Sequence, residues 1–112
     1  SSAIVSANIC KELNHISNIS FLEGKLEDKI DSFKEIYSII VDPPRNGLDK
    51  YSIQTILSIN PKTIIYISCD PVTLARDLST LLSNYKILEV HPVDMFPNTY
   101  HVETVCILER NI

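Results

Sequence analysis

Apolar residues along this chain fall into two kinds of pattern. Short, nearly continuous apolar runs alternate with stretches whose apolar positions recur at helical spacing. Ile36-Tyr37-Ser38-Ile39-Ile40-Val41 is one such run, the kind of strand buried on both faces of a parallel sheet. Asp42-Pro43-Pro44-Arg45-Asn46-Gly47 halts it, because two prolines and a glycine cannot continue a ladder. Residues 50–58 return to helical spacing through Ile53, Ile56 and Leu57. Thr63-Ile64-Ile65-Tyr66-Ile67-Ser68 reads as a second buried strand. Pro71 suits the first turn of a helix reaching about residue 82. Residues 86–93 and 102–108 are the last two strands. Ahead of all these, residues 3–13 predict a helix through Ile4, Ala7 and Leu13, with Ser2 available as its cap. Residues 19–22 predict a short strand, Gly24 a turn, and residues 26–33 a short charged helix.

This β-α-β-α-β alternation predicts an α/β fold with a mainly parallel sheet. The last two strands have no clear helix between them, which predicts a closing antiparallel pair. There is no repeat, low-complexity tract or linker. Ligands of such sheets bind beyond the carboxyl ends of the strands. Asp42, Cys69 and Asp70 stand at those ends.

A chain of 112 residues, 45% hydrophobic, suits one globular domain. Its 14 acidic and 10 basic residues give a net charge of −4, which argues against holding nucleic acid by charge alone. The two glycines, Gly24 and Gly47, are 23 positions apart, so these residues contain no glycine-rich phosphate loop. Cys10, Cys69 and Cys106 are spaced by 59 and 37 positions, which fits no metal pattern. An odd cysteine count without secretory features favours a reducing, cytoplasmic compartment. No apolar run approaches the roughly 20 residues of a membrane helix. Cys10 and Cys106 read as small buried hydrophobes.

Cys69 ends a buried strand just ahead of a helix N-terminus. Backbone amides and the helix dipole favour a thiolate there. Asp70 and Asp42 act in the opposite sense, because nearby negative charge disfavours a second anion. Position alone leaves open a reactive thiol and an inert strand-end cysteine. Asp42 is either a capping acid in a rigid turn or a carboxylate aimed by a stiff loop. Loops led by Asp or Asn also hold the base in amino-methyltransferases, which usually place an aromatic residue where this chain has Arg45. Between the last strands lies Asp94-Met95-Phe96-Pro97-Asn98-Thr99-Tyr100-His101-Val102-Glu103. Glu103 reads as a general base or as an exposed strand residue, and His101 as a base or orienting group.

Three segments together resemble one family, the RNA 5-methyluridine (uracil-5-) methyltransferases. They are Asp42-Pro43-Pro44-Arg45-Asn46-Gly47-Leu48, Tyr66-Ile67-Ser68-Cys69-Asp70-Pro71-Val72-Thr73-Leu74-Ala75-Arg76-Asp77-Leu78, and Asp94 through Val105. Order and spacing agree as well, and residues 2–27 resemble the family's helix and strand after its donor-binding motifs. The resemblance covers essentially the whole chain. It implies a partial Rossmann-like, S-adenosylmethionine-dependent methyltransferase fold, with residues 1–112 as the C-terminal portion of the catalytic domain. The implied reaction is methyl transfer from S-adenosylmethionine to carbon 5 of a uridine in RNA. Carbon 5 is a poor nucleophile until a thiolate adds at carbon 6 and makes an enolate. The resemblance assigns Cys69 as that nucleophile, Glu103 as the base that removes the carbon 5 proton, and Asp42 as the acid at the donor and target-base site. Arg76 and His101 match family positions around the site, though Arg76 also reads as a helix-surface charge. Asp94-Met95-Phe96-Pro97 looks more like 23S rRNA members than tRNA members.

The chain departs from the family in two ways. Asp70 stands where the family commonly has Asn, and an ionised carboxylate there disfavours the thiolate unless Arg45 or Arg76 compensates. The family's glycine-rich donor loop, ribose-binding acid and target-base glutamine are expected before residue 1. So are its RNA-binding module and the iron-sulfur cysteines of some members. The 112 residues alone are therefore expected to be inactive. The missing strands would leave sheet edges unpaired and open to homo-oligomerisation. Two other classes stay open. One is a non-catalytic association module using such an edge. The other is a thiol hydrolase pairing Cys69 with His101 or His91, which no oxyanion-hole glycine motif supports.

Overall fold

In the computed structural model, which describes residues 2–18, 36–93 and 103–111, the apolar runs become strands and the helically spaced stretches become helices. In chain order they are α1 (Ser2–Leu13), β1 (Ser38–Val41), α2 (Lys50–Ile59), β2 (Thr63–Ser68), α3 (Pro71–Leu81), β3 (Tyr85–Val93) and β4 (Glu103–Arg110). The strand expected at 19–22, the helix expected at 26–33, and His101 lie outside the described residues.

The strands form one sheet in the order β1-β2-β4-β3. β1 and β2 are parallel, with α2 as their crossover and Val41 level with Tyr66. β4 inserts between β2 and β3 and runs antiparallel to both. The expected closing pair is therefore present. Its last strand returns inside the sheet instead of extending it. That return makes the sheet mixed among the described residues, with one parallel and two antiparallel pairings where a mainly parallel sheet was expected.

Alternation along β2 buries Ile64, Tyr66 and Ser68 and leaves Thr63, Ile65 and Ile67 half-buried. Ile64, Tyr66, Cys106 and Leu108 form one core with Ile53 and Ile56 of α2, Leu74 and Leu81 of α3, and Tyr85. Both of these helices therefore cover the same face of the sheet. At the far end of β2, the buried Tyr85 hydroxyl donates to the Pro61 carbonyl at 2.5 Å, fixing the start of β3.

Two further expectations need correction. β1 is not buried on both faces: Ile39 and Val41 pack against the core, but Ile40 is 66% exposed. The strand is short, and it pairs only with β2 among the described residues. Cys10 is exposed on α1, which also leaves Val5, Ile9 and Leu13 exposed. Cys106 is buried as expected, and burial pushes its thiol pKa up. No helix among the described residues is long and apolar enough to cross a membrane.

Candidate active site

The sheet register brings the three sequence-selected residues to one end of the sheet. Ser68 ends β2 opposite Thr104 of β4. One step further out, Cys69 follows Ser68 on one strand and Glu103 precedes Thr104 on the other. The β2–β4 pairing ends at Ser68 and Thr104, so Cys69 and Glu103 each stand one residue beyond its last pair. Asp42 follows Val41, which is level with Tyr66, and so leaves β1 at the same end. Asp42 is exposed, whereas Cys69 and Glu103 are half-buried. Glu103 is thus not a fully exposed strand side chain. It begins β4 beside Val93, the last residue of β3.

The chain turns sharply at Cys69, and its neighbours hold that turn. The Ser68 hydroxyl donates to the Asp70 carbonyl at 2.8 Å and accepts the Asp70 N–H at 3.1 Å. The Asp70 carboxylate accepts the Val72 N–H at 2.8 Å and caps α3, with Pro71 in its first turn. Capping explains how Asp can stand in place of Asn here, since both side chains accept that bond equally well.

Neither arginine supplies Asp70 with a hydrogen-bonding or ion-pair partner among the described residues. Arg76 instead faces its neighbour Asp77, at 3.2 Å through Nε and 3.1 Å through Nη2. The same Nη2 donates to the carbonyls of Asn46 at 2.6 Å and Leu48 at 3.2 Å. Arg45 contributes its backbone carbonyl, which accepts the Thr73 hydroxyl at 2.9 Å. Helix α3 therefore grips the loop that follows Asp42 at three successive places.

Asp77 is the centre of this grip. Its carboxylate is fully buried, and its Oδ2 accepts the Leu48 N–H at 2.8 Å and the Tyr66 hydroxyl at 2.5 Å. One buried acid thus ties β2, α3 and the loop together, and every buried polar side-chain atom among the described residues has a partner. Burial first, and then the bond to Asp77, raise the Tyr66 phenol far above its ordinary range. Gly47 passes so close that a Cβ there would stand 2.6 Å from Arg76 Nη2 and 2.7 Å from Asp77 Oδ2. Its φ of +78° is a conformation that glycine adopts without strain. The Gly47 N–H closes the turn by donating to the Pro44 carbonyl at 2.8 Å.

The sequence reading missed Asp77 and Tyr66. A signal was present: Asp77 falls between Leu74 and Leu81 in the stripe that α3 buries. An acid in an apolar helical stripe calls for partners, because an unpaired buried charge is costly. His91 is exposed and pairs with Glu89 at 2.9 Å. A cleft of about 600 Å³ opens between α2 and α3, lined by Leu48, Ile53, Leu57, Arg76 and Thr80 among others, but by none of Asp42, Cys69 and Glu103.

Fold and site together define an α/β domain that presents a cysteine, a glutamate and an aspartate at adjoining strand ends. Residues 4–111 match the tRNA (uracil-5-)-methyltransferase family, and the chain belongs to it. It is 49% identical to an uncharacterized RNA methyltransferase of Caldanaerobacter subterraneus, over 96% of this chain and 25% of that protein. A Clostridium acetobutylicum relative, also described as an uncharacterized RNA methyltransferase, is 45% identical over the same shares. Among solved structures, the chain resembles Pyrococcus abyssi tRNA (uracil-54, C5)-methyltransferase in complex with S-adenosyl-L-homocysteine. The TM-score is 0.79 and the identity 35%, over 95% of this chain and 25% of that one. TrmN from Thermus thermophilus shares the fold, with a TM-score of 0.62 at 17% identity, over 94% of this chain and 32% of that one. The chain spans about a quarter of the length of these curated relatives.

Proposed function

We propose that this chain is the C-terminal portion of the catalytic domain of an RNA uracil-5-methyltransferase that uses S-adenosylmethionine. One observation carries the reading: Cys69 and Glu103 each lie one residue beyond the last β2–β4 pair, Ser68–Thr104, at the sheet end where Asp42 also emerges. Family membership and the S-adenosylhomocysteine complex of the Pyrococcus enzyme support the reaction class and the cofactor.

In this mechanism Cys69 Sγ, as thiolate, adds to carbon 6 of the uracil and makes the ring an enolate. When bound, S-adenosylmethionine would supply the electrophilic methyl group: carbon 5 would bond to it as the sulfonium–methyl bond breaks, and S-adenosylhomocysteine would leave. Glu103 then takes the proton from carbon 5. The electron pair so released re-forms the carbon 5–carbon 6 double bond and expels the Cys69 thiolate, and the carboxyl returns its proton to water. Asp42 is an exposed acceptor at a strand end, which fits the amino and hydroxyl donors of the cofactor or the N–H of the base. The Asp94-Met95-Phe96-Pro97 motif favours 23S rRNA as the substrate, although the Pyrococcus relative acts on tRNA.

The test uses the full-length protein that carries this sequence, with 5-fluorouridine RNA and S-adenosylmethionine. Fluorine cannot leave carbon 5 as a cation, so the adduct should persist and map to Cys69. Cys69→Ala should abolish it. Glu103→Gln should accumulate the corresponding adduct on unmodified RNA. An adduct that survives Cys69→Ala removes the cysteine from the mechanism. Faster methylation of tRNA than of 23S transcripts would overturn the substrate assignment alone.

A further inference from the structure

The grip of α3 on the loop after Asp42 has a consequence for the site. We propose that Asp77, Arg76, Tyr66 and Thr73 form a positioning network that sets the Asp42 loop relative to the Cys69 strand end. The inference rests on the function proposed above, and it concerns residues to which that mechanism gives no role.

The geometry supports it at each point of contact. Tyr66 stands three residues before Cys69 on β2, and its hydroxyl meets Asp77 Oδ2. The same oxygen receives the Leu48 N–H, so one buried atom joins the nucleophile's strand to the end of the Asp42 loop. Arg76 Nη2 holds the carbonyls of Asn46 and Leu48 on either side of Gly47. Thr73 holds the Arg45 carbonyl. Pro43 and Pro44 stiffen the stretch between these anchors and Asp42. Movement at residues 45–48 must therefore pass along a stiff segment to the Asp42 carboxylate. These side chains act through the loop, so they are positioning residues and not catalytic ones.

The loop is a poor candidate for a purely structural grip. A loop serving only as a connection needs no buried carboxylate, and a buried charge costs folding free energy unless it is well paired. Here the pairing converges on the one segment that carries the Asp42 carboxylate.

The experiment uses the full-length protein and two mild variants, Arg76→Lys and Thr73→Val. Arg76→Lys keeps the charge but cannot serve a carboxylate and two carbonyls from one planar fork. Thr73→Val removes a single hydroxyl. Amide exchange at Leu48 should accelerate about tenfold or more, while amides of β2 keep their protection. Affinity for S-adenosylhomocysteine, read by calorimetry, should fall about tenfold, since a misplacement of about 1 Å at a site can cost that much or more. In an Asp42→Ala background the Arg76→Lys effect on affinity should largely vanish, because coupled residues are non-additive. Unchanged Leu48 exchange overturns the proposal. So does faster exchange with unaltered affinity, or an Arg76 effect that adds fully to Asp42→Ala. A wild-type protein that gives no adduct with 5-fluorouridine RNA, yet binds S-adenosylhomocysteine through this coupled network, overturns the proposed reaction and leaves the network standing.

Discussion

Tyr66 carries more than packing. Its hydroxyl donates to a buried carboxylate, so the fold holds the phenol in its protonated form. Below pH 10, the ordinary phenol value, both folded and unfolded chains keep this proton, and the contribution to stability is complete. Above pH 10 the unfolded chain releases it while the folded chain retains it. The unfolded state then binds fewer protons, and stability falls as pH rises. Urea unfolding followed from pH 8 to about 11 should show that decline. Tyr66→Phe should lower stability at pH 8 by about 1–3 kcal/mol, because Asp77 loses a buried donor. It should also make the alkaline decline shallower. Tyr85 is shifted upward by burial in the same way, so the slope should shrink and not disappear. An alkaline slope identical in Tyr66→Phe and wild type would show that the phenol is not coupled to folding.

At the level of elements, α3 decides where the cysteine stands. Its N-cap, its proline and the Ser68 hydroxyl together shape the corner at Cys69. Asp70→Ala should cost about 1 kcal/mol in thermal or urea unfolding, whereas Asp70→Asn should change it by only a few tenths. If Asn proves as damaging as Ala, the carboxylate has a task besides capping. This helix also shows what was legible in the sequence. Its start was readable because Pro71 and the strand before it obey local rules. The place of Cys69 at a strand end followed from the same rules. The Asp42 loop was readable as stiff because two prolines force it. The tie between that loop and α3 was not, because Leu48 and Asp77 are 29 positions apart and periodicity describes only neighbours. Nor did the apolar run at β1 reveal its exposed face, since an edge strand and an interior strand can share one composition. The insertion of β4 between β2 and β3 was equally hidden, although it is what brings the start of β4, with Glu103, to the end of β2 that precedes Cys69.

For the molecule as a whole, the two faces of the sheet differ. One carries the core under α2 and α3. The other presents Ile65, Ile67, Val105 and Ile107 half-buried, continuing to the exposed Ile40 on β1. Tyr37 and Ile40 are both about two-thirds exposed at the edge of the described sheet. An apolar face that runs out to a strand edge favours pairing with another chain, because the edge offers backbone hydrogen bonds and the face offers apolar contact. A net charge of −4 on 112 residues opposes such association only weakly. The purified 112-residue chain should therefore self-associate as its concentration rises from about 10 μM to about 1 mM, as light scattering would register. Ile40→Lys puts a charge on that edge and removes apolar area, while its exposed position leaves the core intact. This variant should shift the association to higher concentration without changing the far-ultraviolet circular dichroism. If the wild-type chain is monomeric across the range, the exposed edge does not recruit partners. If Ile40→Lys associates as readily as wild type, the contact lies on another surface.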